Sequence, residues 1–143
     1  MKKRILGVKK WKKYLGASCY QYAIDFYSNE FLLIGDIIGK RCNEYTSDEK
    51  IIATLREELE VLGYELTETE TYAPLKKHET KIYFQRDQNS GYYHFLKQDN
   101  NGIWSHKYPN EMPTTLINGK KLINPDLMTK PPIYGRCFCL RKS

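Results

Sequence analysis

Long apolar runs are missing from this chain of 143 residues. No stretch approaches the roughly 20 residues that a membrane-spanning helix needs, so no membrane span is expected. The basic start, Met1-Lys2-Lys3-Arg4, is followed by only a few apolar residues before Lys9 and Lys10. That is too short for the core of a signal peptide, and the expected location is the cytoplasm. Cysteine is scarce, with four residues at 19, 42, 137 and 139. This excludes a dense disulfide framework and agrees with a reducing compartment. The Cys137-x-Cys139 pair has no second pair and no neighbouring histidine motif, so neither a metal nor a cofactor is expected. Internal repeats, low-complexity tracts and cell-wall-binding repeats are also absent from the sequence. What is left is one domain spanning 1–143.

Net positive charge is confined to one end. Lys2, Lys3, Arg4, Lys9, Lys10, Lys12 and Lys13 contribute +7, and residues 14–143 sum to −1, which gives the net +6. Basicity is thus a property of an N-terminal arm, 1–14, in which Lys9, Lys10, Lys12 and Lys13 flank Trp11. Such an arm suits a nucleic acid, an anionic surface or an acidic protein as partner. It equally suits a solvated first helix that aids solubility. Hydrophobic residues at 41% and charged residues at 28% are globular proportions.

Helical spacing comes first along the chain. Cys19, Tyr22, Ala23, Phe26 and Tyr27 fall at i, i+3, i+4, i+7 and i+8 and predict a helix from Ser18 to Ser28, with Ser18 as its cap. Residues 31–38 read as a short buried strand or turn around Gly35-Asp36. A second helix follows the Thr46-x-x-Glu49 capping pattern. It carries Ile51, Ile52, Leu55, Leu59 and Leu62 on one face, Gly63 as its stop, and Glu57, Glu58 and Glu60 facing outward. Residues 65–79, rich in Thr, Glu and Lys around Pro74, read as a loop bearing a surface His78. Strands are expected over 80–86, 91–98 and 103–108, and again over 133–140 after a segment broken by prolines. The fold class is α+β: an N-terminal nucleophile helix and a second helix packed on a mainly antiparallel sheet.

Two of the three histidines lie twelve positions apart, at 94 and 106, around Asn100-Asn101-Gly102. A thiol at a helix start, as at Cys19, has its thiolate favoured by the helix dipole. An imidazole can hold that thiolate as an ion pair, and a second polar group can orient the imidazole. This is the minimum equipment of a cysteine hydrolase or acyltransferase. A functional Cys19 is then expected to react well below neutral pH, and Cys42 is not. The same stripe position also suits a small core residue. The turn matters as much as the residues. A two-residue Asn101-Gly102 turn puts the histidines on opposite faces of the sheet. A three-residue loop with Gly102 left-handed pairs Leu96 with His106 and makes His94 the diagonal same-face neighbour of His106.

The cysteine opening a helix, the histidine opening an antiparallel strand and a second histidine twelve residues on resemble the Cys-His-His arrangement of NlpC/P60 enzymes. These are papain-like cysteine peptidases, amidases and acyltransferases. The segments Cys19-Tyr-x-Tyr-Ala23 and His94-Phe-x-x-Gln-Asp-x-x-Gly-x-Trp-Ser-His-Lys107 also resemble a set of uncharacterised bacterial proteins. The first resemblance implies a papain-like fold with Cys19 as nucleophile, His94 as general base and His106 as the group orienting it. It covers the first helix and residues 80–108, about a third of the chain. NlpC/P60 enzymes usually have Asp before the nucleophile, where Ser18 stands here. Asp99 or Asn100 is an alternative orienting residue, and Ser105 beside His106 an alternative pair. The expected function is hydrolysis or acyl transfer on an amide or isopeptide substrate. The competing expectation is a non-catalytic module on the same scaffold, engaging a protein or nucleic acid through the basic arm.

Overall fold

In the computed structural model, which describes residues 16–117 and 119–143, the first helix is α1, Cys19–Ile24. The basic arm, with Lys9, Lys10, Trp11, Lys12 and Lys13, lies outside the described residues. Ser18 caps α1: its hydroxyl accepts from the Gln21 amide, and the Gln21 side chain accepts from the Ser18 amide. The helix stops four residues before the expected Ser28. Asp25 adopts a left-handed conformation, φ 54°, and its amide returns to the carbonyls of Gln21 and Tyr22. Phe26 therefore reaches the core from beyond the helix rather than along it.

The second helix, α2, is Asp48–Val61. Its cap is Ser47, whose hydroxyl accepts from the Lys50 amide. The expected cap, Thr46, instead accepts from the Asn43 amide in the preceding turn. Ile51, Leu55 and Leu59 are fully buried, and so is Glu58. The outward placement of Glu58 is thus corrected: it stands three residues after Leu55 on the core-facing side, where its carboxylate has work described below.

Five strands make one antiparallel sheet in the order β1, β7, β2, β3, β4, where β1 is Tyr64–Glu68, β2 Glu79–Asp87, β3 Tyr93–Gln98, β4 Trp104–His106 and β7 Ile133–Lys142. A two-stranded ribbon, β5 Leu116–Ile117 with β6 Lys120–Lys121, lies outside it. The fold class is α+β, with two helices packed on a mainly antiparallel sheet. Strand β1 falls where a loop was expected. Only Leu66 among its residues is buried, opposite Leu140, and the strand is held by main-chain pairing to the C-terminal β7. Residues 34–39 are turns rather than a strand. Strand β4 ends at His106, short of the expected 108.

One face of the sheet holds Ile82, Phe84, Phe95 and Phe138, all fully buried beneath the helices. Each such side chain contributes roughly 2–3 kcal/mol by leaving water. The other face holds a smaller cluster of Tyr83, Leu96, Trp104, Leu122 and Cys137, partly covered by Ile117 and Met128. Helix α1 packs on β3 and β4, which brings its first residue to the strands that carry the two histidines. No helix among the described residues is long and apolar enough to cross a membrane.

Candidate active site

The hairpin adopts the three-residue register. Leu96 pairs with His106 and Gln98 with Trp104, the Asp99 amide donates to the Ile103 carbonyl, and Gly102 takes φ 81°. A side chain there would have to occupy the left-handed region, which glycine enters freely. With this register His94 and His106 share a face, and His94 Nε2 lies 2.9 Å from His106 Nδ1. The rings meet edge to face.

The tautomers follow from what lies beyond. His106 Nε2 is 2.8 Å from the carbonyl oxygen of Leu116. A carbonyl only accepts, so His106 carries its proton on Nε2. When His106 is neutral its Nδ1 then presents a lone pair, and His94 Nε2–H donates to it. The remaining ring nitrogen, His94 Nδ1, is left as an acceptor. His106 is itself immobilised: it is 1% exposed, and its main chain exchanges two hydrogen bonds with Thr114. Burial, helped by the neighbouring His106, pushes His94 down to about 4, so this imidazole rests neutral.

Cys19 and His94 line one cavity of about 670 Å³. Tyr108 closes its side, stacked on the His94 ring at 4.7 Å between centroids and edge-on to His106. Cys19 is 8% exposed and packs among Tyr20, Phe95 and Ile34. Burial pushes its thiol up to about 11, opposed by the backbone amides of Phe95, Tyr20 and Cys19 itself and by the positive charge of Lys107. This reverses the expected direction. A six-residue helix with its first residue packed into the core desolvates the thiolate more than its dipole favours it. In the resting site both the thiol and the imidazole are therefore neutral.

Compared with curated proteins, the chain is 32% identical over 116 residues to insoluble matrix shell protein 1 of Ruditapes philippinarum, a match that takes in 80% of this chain and 72% of the other. The chain belongs to the family of that protein. No protein-family model matches it and no solved structure matches it.

In this family member the structure joins His94 to His106, sets Cys19 and His94 on the lining of one cavity, and leaves Asp99 apart. Asp99 lies five residues along the strand from His94, roughly 16 Å away, and its carboxylate stands 3.9 Å from Lys97. Ser105 is turned to the Tyr22 hydroxyl at 2.6 Å rather than to a histidine. Two residues of the site were not singled out from sequence. Lys107 is fully buried and donates 2.6 Å to the Ala17 carbonyl, which ties the end of β4 to the start of α1. Tyr108 is the wall against His94. The signal for Lys107 lay in the alternation of the strand, which puts it on the face opposite His106, toward the helices.

Proposed function

We propose that the chain is a cysteine hydrolase or acyltransferase of the NlpC/P60, papain-like kind, acting on an amide or isopeptide carbonyl. The observation that carries this reading is the 2.9 Å bond from His94 to His106, which leaves Nδ1 as the acceptor nitrogen of a histidine that lines one cavity with Cys19. In the reaction Cys19 Sγ bonds to the carbonyl carbon while its proton passes to His94 Nδ1. The developing oxyanion is met by backbone amides of the kind gathered at Sγ and by the charge of Lys107. The C–N bond then breaks as His94 returns the proton to the leaving nitrogen, and a thioester remains on Cys19. Water, or an acceptor nucleophile, gives its proton to His94, attacks the thioester and restores the thiol. Moving the proton creates opposite charges in a buried site, where their attraction offsets part of the desolvation that keeps each neutral at rest.

The test is acylation of Cys19 by a p-nitrophenyl ester, followed by release of nitrophenolate and by the mass of the Cys19 peptide. Wild type is expected to acylate at Cys19, Cys19→Ala not at all, and His94→Ala at least about a hundredfold more slowly. Equal rates in wild type and His94→Ala would sink the reading. A second reading, a non-catalytic module, is favoured by two observations. The thiol is buried and neutral, as in a core cysteine, and the relative's name is that of an insoluble matrix protein. It predicts no acylation and no loss of function in Cys19→Ala.

A further inference from the structure

The cavity at Cys19 is mainly apolar. Phe31, Leu33, Cys42, Tyr92, Tyr93 and Tyr108 are on its lining, and its volume of about 670 Å³ is that of a small-molecule site. Three of these residues are open to solvent at its mouth: Phe31 at 46%, Tyr108 at 46% and Tyr92 at 72%. The cation on the rim, Arg41, is not free to receive an anionic ligand. Its guanidinium is forked onto Asp36, with contacts of 2.6 and 2.9 Å. Asn43 is likewise engaged, its side-chain oxygen accepting from the Tyr45 amide and its own amide donating to Thr46. The wall is stiff where it is deepest. Leu33 belongs to a turn held by its own amide on Asp36, and Ile34 donates to the Tyr93 hydroxyl.

Taking the acylation of Cys19 as given, we propose that this cavity is an acyl pocket, and that the substrate carbonyl attacked by Cys19 carries a large apolar acyl group. A small acyl group leaves the walls unfilled, and an anionic one meets no free cation, since Arg41 is held by Asp36 and the other charged side chain on the lining, Glu44, is itself an acid. A fatty acyl chain and an apolar amino-acid residue share this chemistry, and the two sources are separated by the test.

The experiment compares three p-nitrophenyl esters, of acetate, octanoate and N-acetylphenylalanine, each rate being divided by that of the same ester with free cysteine. Acylation is located at Cys19 by mass. Octanoate or the phenylalanyl ester is expected to exceed acetate at least about tenfold in this normalised kcat/KM. Preference for octanoate assigns a lipid acyl source, and preference for the phenylalanyl ester a peptide source. The preference is expected to fall to within about twofold in Phe31→Ser and in Tyr92→Ser, both at exposed positions where folding is least at risk. Equal normalised rates for all three esters at Cys19 would overturn the acyl pocket and leave the cysteine chemistry standing. Absence of acylation at Cys19 by any ester would overturn both together.

Discussion

His94 and His106 are joined through unlike nitrogens, Nε2 of the first to Nδ1 of the second at 2.9 Å, and the chain of hydrogen bonds ends on the Leu116 carbonyl. The direction of donation is fixed by that carbonyl, so His106 sets both the tautomer and the ring orientation of His94. His106→Ala is expected to lower Cys19 acylation about 10²–10³-fold with little change in KM. His106→Asn, which retains an acceptor, is expected to recover part of the loss. Nitrogen-15 spectra of the wild type are expected to show both rings protonated at Nε2. A His94 protonated at Nδ1 contradicts the relay.

Stability carries a signature of the same histidine. His94 sits at about 4 in the folded chain, below its ordinary value near 6.5, because burial and His106 disfavour its charge. Between pH ~6.5 and ~4 the unfolded chain binds the proton that the folded chain refuses. Stability is therefore complete above pH ~6.5 and falls as the pH is lowered to ~4, by as much as ~3 kcal/mol. Urea unfolding at a series of pH values checks this in wild type and His94→Gln. Carboxylates titrate in both proteins and cancel in the difference, so the stability of wild type relative to His94→Gln is expected to fall toward acid. A pH-independent difference means that His94 titrates normally.

The thiol gives a second pH profile. Burial holds Cys19 near 11, so alkylation by iodoacetamide is expected to rise about tenfold per pH unit from pH 6 to 9.5 without a plateau. The slope is expected to be the same in His94→Ala, since no ion pair exists in the resting site. A rate that is already flat from pH 5 upward would establish a resting thiolate–imidazolium pair in its place.

Much of this site was legible because it is local. Cys19 at a helix start and the two histidines on one hairpin need only the spacing of residues and a turn type, and Gly102 admits the loop that the relay requires. The strands at 80–86 and 91–98 carry enough buried aromatic and branched residues to announce themselves. What was hidden depends on distant partners. Strand β1 has one buried side chain and exists by pairing with β7, some seventy residues later. The thiol's direction was misjudged for the same reason: the dipole is a property of α1, whereas the burial that outweighs it comes from β3 and the turn at Ile34. Glu58 looked solvated because three of its partners are backbone amides, which no side-chain pattern displays, and the fourth, the Tyr20 hydroxyl, lies 38 residues away.

Lys107 is a buried cation with a double task. Its ammonium donates 2.6 Å to Ala17 and 3.1 Å to the Tyr108 carbonyl, and its charge lowers the cost of a thiolate at Cys19. Lys107→Met keeps the bulk and removes the donors and the charge. It is expected to cost ~1–3 kcal/mol by leaving the buried Ala17 carbonyl unsatisfied, and to slow ester acylation at Cys19 by about tenfold more than iodoacetamide alkylation. Equal slowing of both reagents would mean that Lys107 acts through folding alone.

Glu58 ties the second helix to the turn that walls the cavity. One carboxylate oxygen accepts from the Tyr20 hydroxyl at 2.6 Å and the Gly35 amide at 3.0 Å, and the other from the amides of Ile37 and Ile38. The turn cannot easily rearrange to compensate. At Gly35, φ is 94° and a Cβ would lie 2.0 Å from the Lys40 carbonyl oxygen, so its backbone has one tight course. Glu58→Leu leaves the Tyr20 hydroxyl and the amides of Gly35, Ile37 and Ile38 without their acceptor, and is expected to lower stability by ~3–5 kcal/mol. Glu58→Gln retains an acceptor and a similar shape, and is expected to cost about half as much. Urea midpoints measure both. Because the same turn carries Leu33 against the cavity, iodoacetamide is expected to reach Cys19 faster in Glu58→Gln under conditions where that variant is still folded. A cost below ~1 kcal/mol in Glu58→Leu would show that the turn is held by its own backbone and that the carboxylate is incidental to the site.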